Sequence, residues 1–249
     1  MKFGLIGHPI AHSLSPALFK AGYAGRHPYE LIQTPDFEEA YEIFLRDYDG
    51  INVTAPFKEL AYARADILSP ECEAIKATNL LIKTPQGVKA YNSDYLGVKI
   101  WLQEIKVENP TALIVGLGGA GKAAAEAARS LGMEVILMNR TLYDGQVRPL
   151  SEFAEHFRTA DIIIYNIPTA IPQLRELRDF DMDSKKSKFI LEANYKDPSF
   201  DKALIDRMMR VNPGISYTEG KKWLLYQAVS GYEIFTGERP DLAALSAVL

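Results

Sequence analysis

Short apolar runs alternate along the chain with stretches whose apolar residues recur every three or four positions. Runs at 2 to 6, 29 to 33, 50 to 54, 78 to 82 and 88 to 91 are bounded by Gly, Pro, Asn or Asp and predict strands. The intervening segments 16 to 24, 35 to 47, 57 to 66 and 95 to 105 carry helical spacing. Pro85, Gln86 and Gly87 supply a hairpin turn between the fourth and fifth strands. A break at Glu108, Asn109 and Pro110 opens a second series: strand 111 to 115, helix 119 to 131, strand 134 to 138, and strands near 161 to 165 and 188 to 192. A last apolar helical pattern covers about 220 to 236. Strands alternating with helices predict an α/β fold, with a domain boundary near 95 to 110. Internal repeats and low-complexity segments are absent from the sequence.

Composition narrows the function classes. With 249 residues, 47% hydrophobic and 24% charged, the chain is that of a globular protein of one large or two modest domains. A net charge of −4 gives no basic field, so no nucleic-acid partner is expected. The single cysteine, Cys72, rules out an intrachain disulfide, suits a reducing compartment and reads as a small buried apolar residue. His8, Pro9 and His12 interrupt the first apolar run, and no apolar segment approaches the ~20 residues of a membrane span. The expectation is a cytoplasmic protein that engages no membrane.

Candidate chemistry sits where strands run into loops. In GINVTAPFK, residues 50 to 58, a strand leads into a turn that leaves Thr54 and Lys58 near its carboxyl end, where open α/β sheets collect ligands. Lys58 is a candidate acid or base; the alternative is a solvated lysine on a first helical turn. In KFGLIGHPIAHSLSPALF, Ser15 before Pro16 reads as a helix N-cap, whereas Ser13 has no such role. Two hydroxyls near the positive end of a helix suit a carboxylate or another small anion. Asp94, in Asn92-Ser93-Asp94, reads either as an N-cap or as the partner of Lys58. His8 and His12 line the first loop, while His27 and His156 read as exposed; their spacing suggests no metal site.

The second series opens on TALIVGLGGAGKAAAEAARSLGMEVILMNRT, where a strand runs into Gly116, Gly118 and Gly121 at the dinucleotide spacing. Gly119 and Ala120 complete the loop at the helix start, whose positive end suits a pyrophosphate. A phosphate loop of nucleoside triphosphatases is nearly satisfied by Gly116, Gly121 and Lys122, but Ala123 lacks the hydroxyl that magnesium needs. The next strand ends in Asn139 where an acidic residue would select NAD, and Arg140 and Thr141 suit a 2′-phosphate, favouring NADP.

Nearly the whole chain resembles the shikimate dehydrogenase family. Its amino-terminal serine motif matches GHPIAHSLSP, the Asn-Val-Thr-x-Pro-x-Lys motif matches Asn52 to Lys58, and the Asn-Thr-Asp-x-x-Gly motif matches Asn92 to Gly97 with serine for threonine. The resemblance implies two domains. Residues 1–95 with about 220–249 would form an α/β substrate domain, and 96–219 a Rossmann-type NADP-binding domain, the last helix returning to the first. It implies that Ser13 and Ser15 bind the substrate carboxylate, that Thr54, Asn79, Asp94 and Gln227 bind ring hydroxyls, and that Lys58 and Asp94 form the catalytic pair. Gly116, Gly118, Gly119, Ala120, Gly121, Asn139, Arg140, Thr141 and Tyr195 would face NADP. The implied activity is reversible NADPH-dependent reduction of 3-dehydroshikimate to shikimate in aromatic amino acid biosynthesis, by a monomer or homodimer without metal. Two other readings are a relative acting on quinate or another substrate and a non-catalytic ligand-binding paralogue. The chain departs from the family pattern at Lys76, Leu80, Lys222 and Trp223, in NIPTAI from Asn166, and at Asp144 or Gly145, where a second basic residue is usual.

Overall fold

The first sheet is built from the amino-terminal strands. In chain order the elements are β1 (Phe3–Gly7), α1 (Ser15–Gly22), β2 (Tyr29–Gln33), α2 (Phe37–Asp47), β3 (Gly50–Val53), α3 (Lys58–Arg64), β4 (Ile67–Leu68), α4 (Pro70–Ile75), β5 (Leu80–Thr84), β6 (Gly87–Tyr91) and α5 (Ser93–Glu104). Asp36 fixes the start of α2 by accepting hydrogen bonds from the amides of Glu38 and Glu39. The sheet order is β2-β1-β3-β5-β6-β4. Strands β1, β2 and β3 are parallel, and β5 runs antiparallel to β3 and forms a hairpin with β6.

The second sheet is wholly parallel, in the order β12-β11-β10-β7-β8-β9. Its elements are β7 (Thr111–Val115), α6 (Gly119–Ser130), β8 (Glu134–Asn139), β9 (Val147–Pro149), α7 (Phe153–Thr159), β10 (Ile162–Tyr165), α8 (Pro172–Glu176), α9 (Asp179–Met182), β11 (Lys188–Glu192), α10 (Lys202–Val211) and β12 (Ile215–Thr218). The chain ends with α11 (Gly220–Thr236) and α12 (Leu242–Ser246). These coordinates are a computed structural model that describes residues 1–142, 145–183 and 186–249. The chain divides into two compact units, Met1–Gly97 with Leu224–Leu249 and Val98–Trp223, so each boundary falls inside a helix, α5 or α11.

Each sheet carries apolar residues on both faces, as parallel strands require. In the first unit Ile6, Ile32, Ala40, Phe44, Ile51 and Val53 pack under α2. Phe3, Phe19, Leu80, Tyr232 and Phe235 bring β1, α1, β5 and α11 together on a second core. In the second unit Leu113, Met138, Phe157, Ile163 and Ile190 centre the core.

The α/β class and the main strand series match the sequence reading, and α11 spans the last helical pattern. The structure adds β4, α4, β9, α7, α8, α9, α10, β12 and α12. Several of these are too short to show a period, β4 having two residues and β9 three. Strands β8 and β9 are parallel neighbours joined only through residues 140–146, fewer than the dozen or so that a crossover helix needs.

Candidate functional site

Chain order places several motifs on one rim of the first sheet. From β1 the chain moves out to β2 and then returns to the other side of β1 for β3, which makes the carboxyl ends of β1 and β3 a topological switch point. The loop carrying Ser13 follows β1, and Thr54 and Lys58 follow β3. Because β5 is antiparallel to β3, its beginning lies on that rim, with Leu80 paired to Asn52. The end of β6 lies there too, since Tyr91 pairs with Leu80, and α5 starts directly after it.

Lys58 Nζ and Asp94 Oδ2 meet at 2.5 Å, with side chains only 22% and 11% exposed. A solvated surface lysine is therefore not what the structure contains. Asp94 is not the N-cap either. Asn92 caps α5 by accepting from the Tyr95 amide at 3.1 Å, while its Nδ2 donates to Ala77 O at 3.1 Å. Ser93 is held by Asn79, whose Oδ1 accepts from the Ser93 amide at 2.7 Å and the Ser93 hydroxyl at 3.2 Å. With Oδ1 committed as the acceptor, Nδ2 of Asn79 remains a donor. The third residue of the run is left to face Lys58.

The serine pair differs from the sequence reading as well. Ser15 is the first residue of α1, and the cap position belongs to Leu14, which makes no side-chain cap bond. Ser13 supplies the acceptor instead, taking the Ser15 amide at 3.2 Å and donating to Ser15 Oγ at 3.1 Å. Beneath them Tyr232 donates to Ser15 O at 3.3 Å and Tyr29 to Asn52 Oδ1 at 2.8 Å. Burial pushes both phenols above the usual tyrosine range, so they act as protonated donors. The sequence reading did not single out either tyrosine, because aromatics at helix or strand spacing read as core.

Thr54 is half-buried; its amide donates to Ile6 O at 2.9 Å and its carbonyl accepts from Phe57 at 3.0 Å. Gln227 is half-buried on α11. A Cβ at Gly97 would stand 2.7 Å from Gln227 N, so only glycine lets the backbones of α5 and α11 come this close. His8 and His12 are exposed. His27 and His156 are not: the His27 ring packs edge-on to Phe3, and His156 is bonded to Glu152 at 3.3 Å with 15% of its side chain exposed. Among the described residues no group of three or more His, Cys, Asp or Glu could hold a metal ion, and no helix is long and apolar enough to cross a membrane.

In the second unit β7 runs into a glycine loop. Gly116 has φ +90°, and a Cβ on Gly121 would collide with Gly116 O, so the helix start closes directly onto the strand end. A Cβ at Gly118 would meet nothing, leaving the backbone of the loop and the first amides of α6 open to a ligand. Gly119 and Ala120 are the first two residues of α6. Asn139 braces this loop: Oδ1 accepts from the Leu117 amide at 3.4 Å and Nδ2 donates to Thr141 O at 3.1 Å. Arg140 and Thr141 are exposed just beyond it. Asp144 lies outside the described residues.

Tyr195 is half-buried in the loop after β11, and burial raises its phenol. That loop is anchored by Glu192, fully buried, whose carboxylate accepts from the amides of Ser199 and Phe200 and from Tyr217 Oη, the last at 2.7 Å. Its fixed donors were invisible in a sequence where Glu192 simply ends a strand. The open loop amides and the glycine cradle fit a pyrophosphate-bearing dinucleotide. Asn166 lies against the same loop, its Nδ2 3.5 Å from where a Cβ on Gly121 would stand.

Comparison with known proteins finds similarity in both parts of the chain. Residues 5–81 match the family described as shikimate dehydrogenase substrate binding domain, and residues 88–179 match the D-isomer specific 2-hydroxyacid dehydrogenase, NAD binding domain. The shikimate dehydrogenase (NADP(+)) of Thermus thermophilus is 37% identical over 57% of this chain and 56% of its own length. That of Acinetobacter baumannii is 28% identical over 97% of both. A crystal structure of the Thermus enzyme in complex with NADP(H) and shikimate superposes with a TM-score of 0.81 at 26% identity, covering 100% of this chain and 98% of that one. The chain is similar to shikimate dehydrogenases along its whole length.

Its departures from the shikimate dehydrogenase pattern have local explanations. Lys76 holds the left-handed C-cap of α4 at φ +58°, a conformation that glycine adopts without strain. Leu80 is fully buried in the core with Phe3 and Phe235, where a threonine hydroxyl would need a partner. Lys222 pairs with Glu104 at 2.6 Å, and Trp223 is buried.

Proposed function

We propose that this chain is an NADP-dependent oxidoreductase that reversibly reduces 3-dehydroshikimate to shikimate, a step in aromatic amino acid biosynthesis. The observation that carries the proposal is the Lys58–Asp94 contact at the switch-point rim. The bound nicotinamide supplies the hydride. Reduction of a ketone builds negative charge on oxygen, and the Lys58 ammonium donates a proton to that oxygen and stabilises the charge as it forms. Asp94 holds the ammonium and accepts from the same substrate hydroxyl. In the reverse direction the lysine receives the alcohol proton. Asn79 Nδ2, Thr54 and Gln227 bind the remaining ring hydroxyls, and the Ser13 and Ser15 hydroxyls bind the carboxylate.

For the cofactor, the loop from Gly116 to Gly121, including Gly118, Gly119 and Ala120, takes the pyrophosphate, Arg140 and Thr141 take the 2′-phosphate, and Tyr195 borders the nicotinamide. Asn139 acts by bracing the loop and the turn that carries Arg140. In this reading residues 1–95 with about 220–249 are the substrate domain and 96–219 the cofactor domain, in a cytoplasmic monomer or homodimer that needs no metal. The relatives named as NADP enzymes and the crystal complex with NADP(H) and shikimate support it.

The test is the appearance of reduced nicotinamide absorbance when purified protein meets shikimate and NADP, with quinate and NAD alongside. Turnover of shikimate with NADP is expected. Turnover of quinate alone would reassign the substrate, and binding of both ligands without turnover would make the chain a non-catalytic paralogue.

A further inference from the structure

We propose that Thr78 is a positioning residue for the Lys58–Asp94 pair, its backbone amide holding Lys58 and its side-chain hydroxyl holding the strand end that delivers Asp94. The inference rests on the proposed oxidoreductase function and adds to it a fully buried residue that acts through others. The Thr78 amide donates to Lys58 O at 3.1 Å. The hydroxyl carries one proton and meets two carbonyls, Tyr91 O at 2.5 Å and Leu80 O at 3.0 Å, and the shorter contact takes it. The same oxygen accepts from the Leu80 amide at 3.2 Å. Tyr91 is the last residue of β6, and Asp94 is the second residue of α5. One side chain and its own amide thus join the first residue of α3 to the strand end from which α5 departs.

The neighbours of Thr78 brace one side of this joint. Ala77 O accepts from Asn92 Nδ2 at 3.1 Å, the Asn79 amide donates to Tyr91 O at 3.3 Å, and Asn79 Oδ1 holds Ser93. These bonds reach the α5 side, whereas those of Thr78 reach Lys58 as well. Lys58 and Asp94 are 36 residues apart in sequence and meet at 2.5 Å, so their contact depends on how α3 and α5 are set against each other. A misplacement of about 1 Å in a catalytic group can cost roughly 10²-fold in rate. A threonine that served only its own turn would satisfy its hydroxyl on Leu80 O. Here the proton goes across to β6 instead. Replacing Thr78 by valine removes the side-chain link to Tyr91 and leaves the amide link to Lys58, which cuts the joint at one defined point.

The test is steady-state kinetics and urea unfolding of the full-length protein as wild type, Thr78→Val and Thr78→Ser, with Thr78→Val repeated in the Asp94→Asn background. Thr78→Val should lower kcat about ten- to hundredfold. The KM for NADP should stay unchanged and that for shikimate should stay within about threefold, as expected when alignment in the transition state is lost rather than ground-state binding. Thr78→Ser restores the hydroxyl without the methyl and should rescue kcat to within about threefold of wild type. With Asp94→Asn no ion pair remains to align, so Thr78→Val should then change kcat by less than about twofold while its shift of the urea midpoint persists. A role in the fold alone gives a different pattern: a lowered midpoint with kcat intact, or an equal fall of kcat in both backgrounds, and either result overturns the proposal. A folded Thr78→Ser protein as slow as Thr78→Val overturns it too. If the valine variant does not fold, Thr78→Ala against Thr78→Ser makes the same comparison, since both lack the methyl and differ by the hydroxyl alone; equal kcat for these two overturns the assignment. Wild type that turns over no shikimate would overturn the proposed function itself, which separates the two failures.

Discussion

Removing the Lys58 ammonium tests the proposed chemistry, because the structure assigns it separable effects on stability and on rate. Lys58→Met keeps the stem volume but strips Asp94 of its cation at a site where the carboxylate side chain is only 11% exposed. Breaking one half of a buried pair costs about 3–5 kcal/mol. The lysine here is 22% exposed, so solvent screening reduces the expected loss to roughly 1–3 kcal/mol. Asp94→Asn should cost a similar amount by leaving the ammonium without its countercharge. The double variant Lys58→Met, Asp94→Asn removes both charges, and its cost should fall well below the sum of the singles. Activity should behave differently. Loss of the proton donor should lower turnover by about 10²–10⁴, and the double variant should recover none of it. Urea unfolding midpoints and kcat under saturating shikimate and NADP read the two effects on the same four proteins. Additive stability costs would show that the pair is not coupled in the fold. A Lys58→Met enzyme within about tenfold of wild type, a barrier change near 1.4 kcal/mol, would refute the acid role.

Arg140→Ala should weaken NADP binding far more than NAD binding, measured by calorimetry; equal loss for both would remove the arginine from cofactor choice. Gly97→Ala places a methyl 2.7 Å from Gln227 N, so α11 must shift; a loss of about 1–3 kcal/mol in urea and a rise in the KM for shikimate are expected. Lys188 is buried with its ammonium on the carbonyls of Phe157 and Ala160 at the end of α7, and burial pushes it down to about 8 from 10.5. The unfolded chain therefore binds more protons between about pH 8 and 10.5, so this residue makes stability rise with pH across that window. Subtracting the urea-unfolding curve of Lys188→Met from that of wild type should leave this positive slope, and a flat difference would contradict it.

The parallel strands and their helices were legible because β1, β3, β7 and β10 are almost wholly buried and so appear as unbroken apolar runs. The glycine loop was legible because close backbone approach leaves few alternatives to glycine. Strand β9 was not: its three residues have no period of their own and are strands only because β8 offers an edge. The histidines misled for the same kind of reason. The polar neighbours of His27 in sequence say nothing of Phe3 and Tyr23, which pack against its ring from other elements.

The candidate pair shows where local sequence stops deciding. Asn92, Ser93 and Asp94 are all side chains that cap helices well, and nothing nearby in sequence selects among them. The selection comes from a distance. Asn92 is bound to Ala77 O, 15 residues earlier, and Ser93 to Asn79, 14 residues earlier, on the segment that leads into β5. Those two contacts set where α5 begins and which way its first turn faces. Asp94 is then the residue directed at α3, whose first residue is Lys58. The carboxylate is available to the lysine because the two residues before it have taken the capping and bracing roles. A substitution at Asn92 or Asn79 would therefore alter the Lys58–Asp94 geometry without touching either charge.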